Sequence, residues 1–236
     1  MIKGQPVTAL IPVRGGSKGI PGKNLRRIGR DTLLERAIKL GLASPWVDRV
    51  IVSTDDAEMQ ALAQSYGVAS PGLRPAHLAT AEATTAAAVE HVIADCGIAS
   101  GYLLLLQATA PLRRLADLEE LCRKFEASQA AAMVSVCAHD EPRPEKLKRI
   151  VDGCIVPYAG AGFEGPRQAL PQPYALNGAF YLIALEAFQA NRKFLIEGTR
   201  AYVMPPERGH NLDTLQDWQI LEAMIKAGYW ELEEYP

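Results

Sequence analysis

The chain has 236 residues, and its hydrophobic content of 48% is enough to build the core of one domain, or of one domain with an appendage. A formal net charge of −2 lacks the overall basic excess of a nucleic-acid-binding protein, so any site for an anion must be local. The four cysteines are scattered without a CxxC pair and no segment approaches the roughly 20 consecutive apolar residues of a membrane span, so we expect a cytoplasmic protein with reduced thiols that binds neither nucleic acid nor membrane.

The first half of the chain alternates predicted strands and helices. Residues 9–13 are predicted to form a strand before a glycine-rich loop. In the segment DTLLERAIKLGLAS that follows, Thr32 and Glu35 have the spacing of a capping box, and apolar residues recur on one helical face. Residues 50–52 are then predicted to form a second strand.

The middle of the chain indicates a buried, mainly parallel sheet. The apolar run at residues 102–107 is typical of a central parallel strand covered on both faces, and a helix at about residues 115–127 and a strand in AAMVSVCA follow it. This alternation predicts an α/β fold with a doubly wound, mainly parallel sheet. In such folds ligands lie beyond the carboxyl ends of the strands.

The sequence changes character between residues 139 and 175. This stretch is rich in proline, and Asp152-Gly153 lies between two apolar runs, as in a β-hairpin. We interpret it as an inserted arm, so that residues 1–236 form a single domain. After the arm, AFYLI and AYVMP are predicted to be strands, with a helix near residues 185–190 between them and a last helix from 214 to about 227.

The stretch ALIPVRGGSKGIPGKN, residues 9–24, sets one arginine and two lysines among four glycines directly after a strand. It is not a Walker A loop, because Ser17 stands where that pattern has its first glycine and Asn24 where it has Ser or Thr. It is not a dinucleotide fingerprint either, since Pro21 would interrupt the helix that the fingerprint opens. Its backbone N–H groups and three cations fit a polyphosphate, and the alternative is a solvated connecting loop.

The loop resembles the N-terminal motif of the acylneuraminate cytidylyltransferases, the CMP-sialic acid synthetase family. Three further segments resemble that family in the same order: LLLLQATAPLR its LLQPTSPLR, RQALPQPYALNGAFY its RQ-x-LP...NGA-x-Y, and NLDT its late DIDT. The likeness covers nearly the whole chain. It implies a Rossmann-like fold of the nucleotidyltransferase type with a small insertion through which the family dimerises, and hence a homodimer.

The resemblance implies an enzyme that activates a nine-carbon, sialic-acid-like keto sugar with CTP and gives the CMP-sugar and pyrophosphate. In this family the anomeric hydroxyl of the sugar acid attacks the α-phosphate of CTP directly, so no covalent intermediate with the protein is required. The residue types suit this reaction, because phosphoryl-type transfer needs cations and a metal more than it needs a protein nucleophile.

The resemblance also assigns roles to individual residues. The groups expected at the triphosphate and ribose of CTP are Arg14, Lys18, Lys23 and Asn24. Those expected around the base and ribose are Arg74, Thr84 or Thr85, and Gln107. Those expected at the sugar acid are Gln107, Arg167, Gln168, Asn177 and Tyr181. Asp213 is expected to bind Mg²⁺ (or Mn²⁺) beside Asn211, and Arg14, Lys18, Lys23 and Asp213 are the expected catalytic groups.

Several of these assignments have a structural alternative. Asn177-Gly178 also fits a turn before a strand, and Tyr181 also fits packing within a sheet. Asp213, directly before a helix, also fits a cap. Gln107 is a stronger candidate, because a polar side chain at the end of a buried strand needs a partner.

The sequence departs from the family pattern at Asn211, which stands in place of the first aspartate of DIDT. If the metal needs two carboxylates, the chain is a weak or specialised synthetase. Two other functions stay open. One is a sugar-1-phosphate nucleotidyltransferase using another NTP, against which the RQ-x-LP and NGA-x-Y segments argue. The other is a non-catalytic nucleotide-binding relative, against which the retained cations and Asp213 argue.

Overall fold

The computed structural model describes residues 1–17, 19–80, 82–140, 142–158 and 170–235. The strands within them are β1 (Val7–Pro12), β2 (Arg27–Ile28), β3 (Asp31–Thr32), β4 (Arg49–Ser53), β5 (Tyr102–Leu105), β6 (Ala132–Ala138), β7 (Lys148–Val151), β8 (Cys154–Pro157), β9 (Tyr174–Ala184) and β10 (Arg200–Met204). The α-helices are α1 (Leu33–Ala43), α2 (Ala57–Ser65), α3 (Thr85–Asp95), α4 (Leu115–Ala127), α5 (Leu185–Asn191) and α6 (Leu215–Lys226). In this described part of the chain, no helix combines the length and the apolar character needed to cross a membrane.

Six strands form the central sheet, in the order β10-β6-β9-β5-β1-β4. β1 runs parallel to β4 and β5, and β6 runs parallel to β10. β9 is antiparallel to both of its neighbours, β5 and β6. The prediction of an α/β fold with a mainly parallel sheet is therefore confirmed, with one antiparallel strand near the centre of the sheet.

Apolar side chains cover the sheet on both faces. Val50 and Leu104 belong to one core, which also contains residues of α1, α2, α4 and α6. Ile51 and Leu105, the next residue along each strand, belong to a second core with residues of α3 and α5. Because successive side chains of a strand point to opposite faces, the two cores lie on opposite sides of the sheet, as the doubly wound prediction requires.

Local sequence signals set the helix boundaries. The Thr32 hydroxyl accepts a hydrogen bond from the Glu35 N–H at 3.1 Å, and the Glu35 carboxylate accepts one from the Thr32 N–H at 2.7 Å. The predicted capping box is thus formed at the start of α1. α4 spans the residues predicted for it.

The described part of the arm is a hairpin. β7 and β8 form a two-stranded sheet of their own. They are joined by Asp152 and Gly153, whose φ angles of 49° and 78° are those that a two-residue hairpin turn requires. The predicted hairpin is therefore confirmed. The last residues assigned to the arm belong to the central sheet, since β9 already begins at Tyr174.

Candidate active site

A cavity of about 450 Å³ opens at the carboxyl ends of β1 and β5. Pro12 and Val13 line it at the end of β1, and Gln107 and Ala108 line it beyond the end of β5. The cavity thus lies where a doubly wound fold places its ligands. The predicted site residues on its wall are Arg14, Lys23, Asn24, Arg74, Thr84, Thr85, Gln107, Asn211 and Asp213.

The glycine loop after β1 folds back onto the segment 211–213. A Cβ atom built on Gly19 would lie 2.1 Å from the carbonyl oxygen of Asp213, so only glycine fits this contact. Elsewhere in the loop the Gly15 N–H donates to the Asp55 carboxylate at 3.0 Å, and the Asn24 amide donates to the Arg14 carbonyl at 3.1 Å. These bonds fix the backbone from which Arg14 and Lys23 project.

The side chain of Lys23 also joins the glycine loop to the segment 211–213. Its Nζ donates to the Leu212 carbonyl at 2.6 Å and lies 3.8 Å from Oδ1 of Asp213. Burial of the side chain lowers the pKa of Lys23, and the carboxylate of Asp213 partly opposes this shift. Lys23 therefore presents a partly desolvated cation, which interacts more strongly with an anion than a solvated lysine would.

Asp213 and Asn211 face each other across one residue. The Asn211 amide donates to Oδ2 of Asp213 at 2.7 Å, while the Asp213 side chain is 70% exposed. The Oδ1 atom of Asn211 is buried and has no hydrogen-bond partner within the residues that the structure describes. These are hard oxygen donors of the kind that Mg²⁺ prefers. The described residues contain no cluster of three His, Cys, Asp or Glu side chains that could hold a metal ion.

The opposite wall of the cavity is formed by the start of α3. Thr84 caps this helix, with its hydroxyl accepting from the Ala87 N–H at 3.2 Å, and Thr84 and Thr85 both line the cavity. The free N–H groups and positive dipole end of α3 therefore lie beside the cavity. This arrangement suits an anionic or polar ligand.

Arg74 lines the cavity but is engaged by the protein. Its guanidinium donates to the Ser53 hydroxyl and to the Val13 carbonyl, each at 3.0 Å, and it also contacts the Ser53 carbonyl. Burial lowers the pKa of Arg74. Arg74 thus ties the ends of β1 and β4 together, a structural task that the sequence did not indicate.

Two residues predicted to contact the sugar acid do not line the cavity. Asn177 is 4% exposed, and its amide donates to the sulfur atoms of Cys137 and Met204. Tyr181 is partly buried and packs against the second core, with its ring 6.0 Å from that of Phe194. The side-chain amide of Asn177 does not face the cavity as predicted, because both its oxygen and its nitrogen are hydrogen-bonded within the sheet. The alternative of a turn at Asn177-Gly178 is also wrong, since both residues lie within β9.

Three predicted site residues, Lys18, Arg167 and Gln168, lie outside the described residues. Reasoning from the sequence missed the polar residues Ser17, Thr80 and Thr109, which line the cavity, and the contact made by Gly178. A Cβ atom built on Gly178 would lie 2.6 Å from Oε1 of Gln107 and 3.3 Å from Oδ1 of Asn211, so its backbone contacts two side chains of the cavity. The signal was present in the NGA segment, where the polar neighbour Asn177 was assigned the role.

Comparison with known proteins agrees with this geometry. The family model described as Cytidylyltransferase matches residues 8–152. The pseudaminic acid cytidylyltransferase of Campylobacter jejuni is 26% identical over 223 residues, which cover 93% of this chain and 96% of that protein. The CMP-N,N'-diacetyllegionaminic acid synthase of Legionella pneumophila is 27% identical over 235 residues, with coverage of 93% and 96%. These matches confirm the resemblance inferred from the four motifs.

A solved structure shows the same fold. It is that of a CMP:2-keto-3-deoxy-manno-octonic acid synthetase complexed with CTP, which superimposes with a TM-score of 0.68 over 94% of this chain and 99% of that one. Its sequence identity is 16%, so it bears on the fold alone. The nucleotidyltransferase type of α/β fold predicted from the sequence is therefore confirmed.

Lys23→Ala should lower the rate of nucleotidyl transfer by about 10²-fold or more and leave the protein folded, because the lysine supplies charge to the cavity and little packing. Steady-state kinetics and thermal unfolding of the purified variant test this. Lys226→Ala, which removes an exposed lysine at the end of α6, is the matched control and should keep the wild-type rate. A folded Lys23→Ala protein with near-normal turnover would contradict the assignment.

Proposed function

The chain belongs to the cytidylyltransferase family, and we propose that it activates a nine-carbon nonulosonic acid with CTP, giving the CMP-sugar and pyrophosphate. The observation that carries the proposal is the contact between the glycine loop and the segment 211–213, which brings Lys23 and Asp213 to one corner of the cavity. The names of the two relatives, which act on pseudaminic and legionaminic acids, support the class of sugar. The cavity volume also falls in the range of roughly 300–1,000 Å³ typical of small-ligand sites.

In the proposed reaction the anomeric hydroxyl of the sugar acid attacks the α-phosphorus of CTP. A phosphorus–oxygen bond forms to the sugar, the bond to the bridging oxygen of the β-phosphate breaks, and the hydroxyl proton is released. The negative charge that builds up on the α-phosphate and on the departing pyrophosphate would be stabilised by Arg14, Lys18 and Lys23 with the N–H groups of the loop. Binding and orientation of the two substrates then replace any need for a protein nucleophile.

The sugar acid would lie beside Gln107, which is on the cavity wall. The carboxylate of the sugar acid needs a cation. The planar guanidinium of Arg167, with the amide of Gln168, would supply charge-assisted hydrogen bonds to it. Tyr181 is half-buried and packs against the second core, and it is proposed to lie at the edge of the sugar site. A cytoplasmic location is part of the proposal and is supported by the four free cysteines.

A pyrophosphate-release assay tests the proposed function. The purified chain is incubated with each of the four common NTPs and with a panel of nonulosonic acids and sugar 1-phosphates. Release that requires CTP and a nonulosonic acid is the expected result. Release with a sugar 1-phosphate and another NTP would replace the proposal by the sugar-1-phosphate nucleotidyltransferase, and no release with any pair would favour a non-catalytic relative.

Mg²⁺ (or Mn²⁺) is the proposed cofactor, held by Asp213 together with CTP phosphates and water, and it would polarise the phosphate oxygens. Asp213→Asn should abolish metal-dependent turnover. Asn211→Asp should keep activity and lower the magnesium concentration for half-maximal rate, because it adds a second negative charge beside the first. Magnesium titrations of the three proteins at saturating CTP decide this. Normal turnover of Asp213→Asn would place the metal elsewhere.

The proposal also includes a homodimer formed through the arm. Ile150 and Ile155 are paired across β7 and β8, and they are 76% and 72% exposed. Such an exposed apolar pair is typical of an interaction surface. Light scattering should give about twice the chain mass of 25.6 kDa. The double change Ile150→Asp and Ile155→Asp should halve that mass, whereas Ile220→Asp on α6 should not. A wild-type chain that is monomeric at micromolar concentration would contradict the dimer.

A further inference from the structure

Strand β9 contains a large irregular bulge near the cavity. Val134 of β6 pairs with Tyr181 of β9, but Val136 pairs with Leu176. A single residue of β6, Ser135, therefore faces the four residues 177–180 of β9. Such a bulge bends its strand and needs other partners for the polar groups that leave the ladder.

The hydroxyl of Ser135 supplies those partners. Ser135 is 1% exposed, its hydroxyl donates to Oδ1 of Asn177 at 2.6 Å, and its oxygen accepts from the Phe180 N–H at 2.8 Å. Oδ1 of Asn177 also accepts from the Ala179 N–H at 3.2 Å. The Ser135 hydroxyl and the Asn177 side chain that it contacts thus bind the backbone N–H groups that the bulge leaves without a partner strand.

A buried arginine in the loop between β5 and α4 also contacts the bulge. Arg113, which is 3% exposed, donates from Nη1 to the Ala179 carbonyl at 2.8 Å. Its own carbonyl accepts from the hydroxyl of Tyr235 at 2.6 Å. Arg113 lies near the end of the same loop that contains Gln107, so its hydrogen bond joins this loop directly to the bulge.

The bulge turns one backbone position towards the cavity. Gly178 has a φ of 70°, and a Cβ built on it would lie 2.6 Å from Oε1 of Gln107 and 3.3 Å from Oδ1 of Asn211, so a side chain there would displace the end of Gln107. Gln107 and Asn211 both line the cavity, whereas Ser135 and Asn177 do not. Any shift of the bulge therefore moves the surface against which two cavity side chains rest.

We infer that Ser135 is a positioning residue for the transfer reaction: by closing the β9 bulge it holds Gly178 against Gln107 and Asn211 and sets where these two side chains lie in the cavity. The inference rests on the proposed function for its choice of substrates. The residue acts through Gln107 and Asn211 and has no contact with the reactants.

A double-mutant cycle between Ser135 and Gln107 tests this. Ser135→Ala alone should lower kcat/KM by roughly tenfold, because its effect passes through the placement of the cavity side chains. In the Gln107→Ala background, where only the contact with Asn211 remains, the same change should lower kcat/KM by clearly less than tenfold. Ser44→Ala is the matched control, since it removes a 3% exposed hydroxyl that accepts from the Trp46 N–H far from the cavity. It should leave kcat/KM at the wild-type value.

Ser135→Cys, which keeps the size of the side chain and weakens its hydrogen bonds, is assayed in the same cycle and replaces Ser135→Ala if that variant does not fold. Additive effects of the two changes, or a Ser135 variant with wild-type kcat/KM, would overturn the inference. The cycle is repeated on the calorimetric affinity for CTP. If no nonulosonic acid supports pyrophosphate release, the proposed function fails, but coupling in nucleotide affinity still decides the role of Ser135.

Discussion

The contact between the glycine loop and the segment 211–213 is the constraint on which the site depends. Gly19 has no room for a side chain against the carbonyl of Asp213, and Nζ of Lys23 is bonded to the carbonyl of Leu212, 189 residues away in the chain. A partly buried cation is costly without such partners. The carbonyl and the nearby carboxylate offset that cost and keep the charge at the cavity. The cavity therefore requires that both ends of the chain be folded onto the same sheet.

The strand order explains how the two ends meet. β1 and β5 are parallel neighbours, so the loops after them leave the same edge of the sheet. β10 runs parallel to β6, and the segment 211–213 follows it. β9 is antiparallel, so it runs back from the carboxyl ends of β6 and β5: Tyr174 pairs with Ala138, and Tyr181 pairs with Leu105. This reversal, together with the bulge within β9, brings Gly178 next to Gln107 and Asn211, which follow the ends of β5 and β10.

The sequence predicted those features that depend on local chemistry. The capping box at Thr32 and the glycine loop that carries Arg14 and Lys23 follow from side-chain type and spacing, and the structure places both where predicted. Features that depend on pairing between distant segments were missed. An apolar run does not tell the direction of its strand, so the reversal of β9 was not predicted. Nor does an asparagine in a motif tell whether its amide faces a ligand or the interior of the protein, which is why Asn177 was assigned to the sugar.

The claim that the loop must dock on the segment 211–213 to bind the triphosphate is tested most directly by the calorimetric affinity for CTP of Gly19→Ala. An added methyl would force the loop off the Asp213 carbonyl, and we expect the affinity to fall by about tenfold or more. Gly72→Ala, at a glycine with no atom within 4 Å of its would-be Cβ, should bind CTP as the wild-type protein does. A Gly19→Ala protein that binds CTP as tightly as Gly72→Ala would contradict the account.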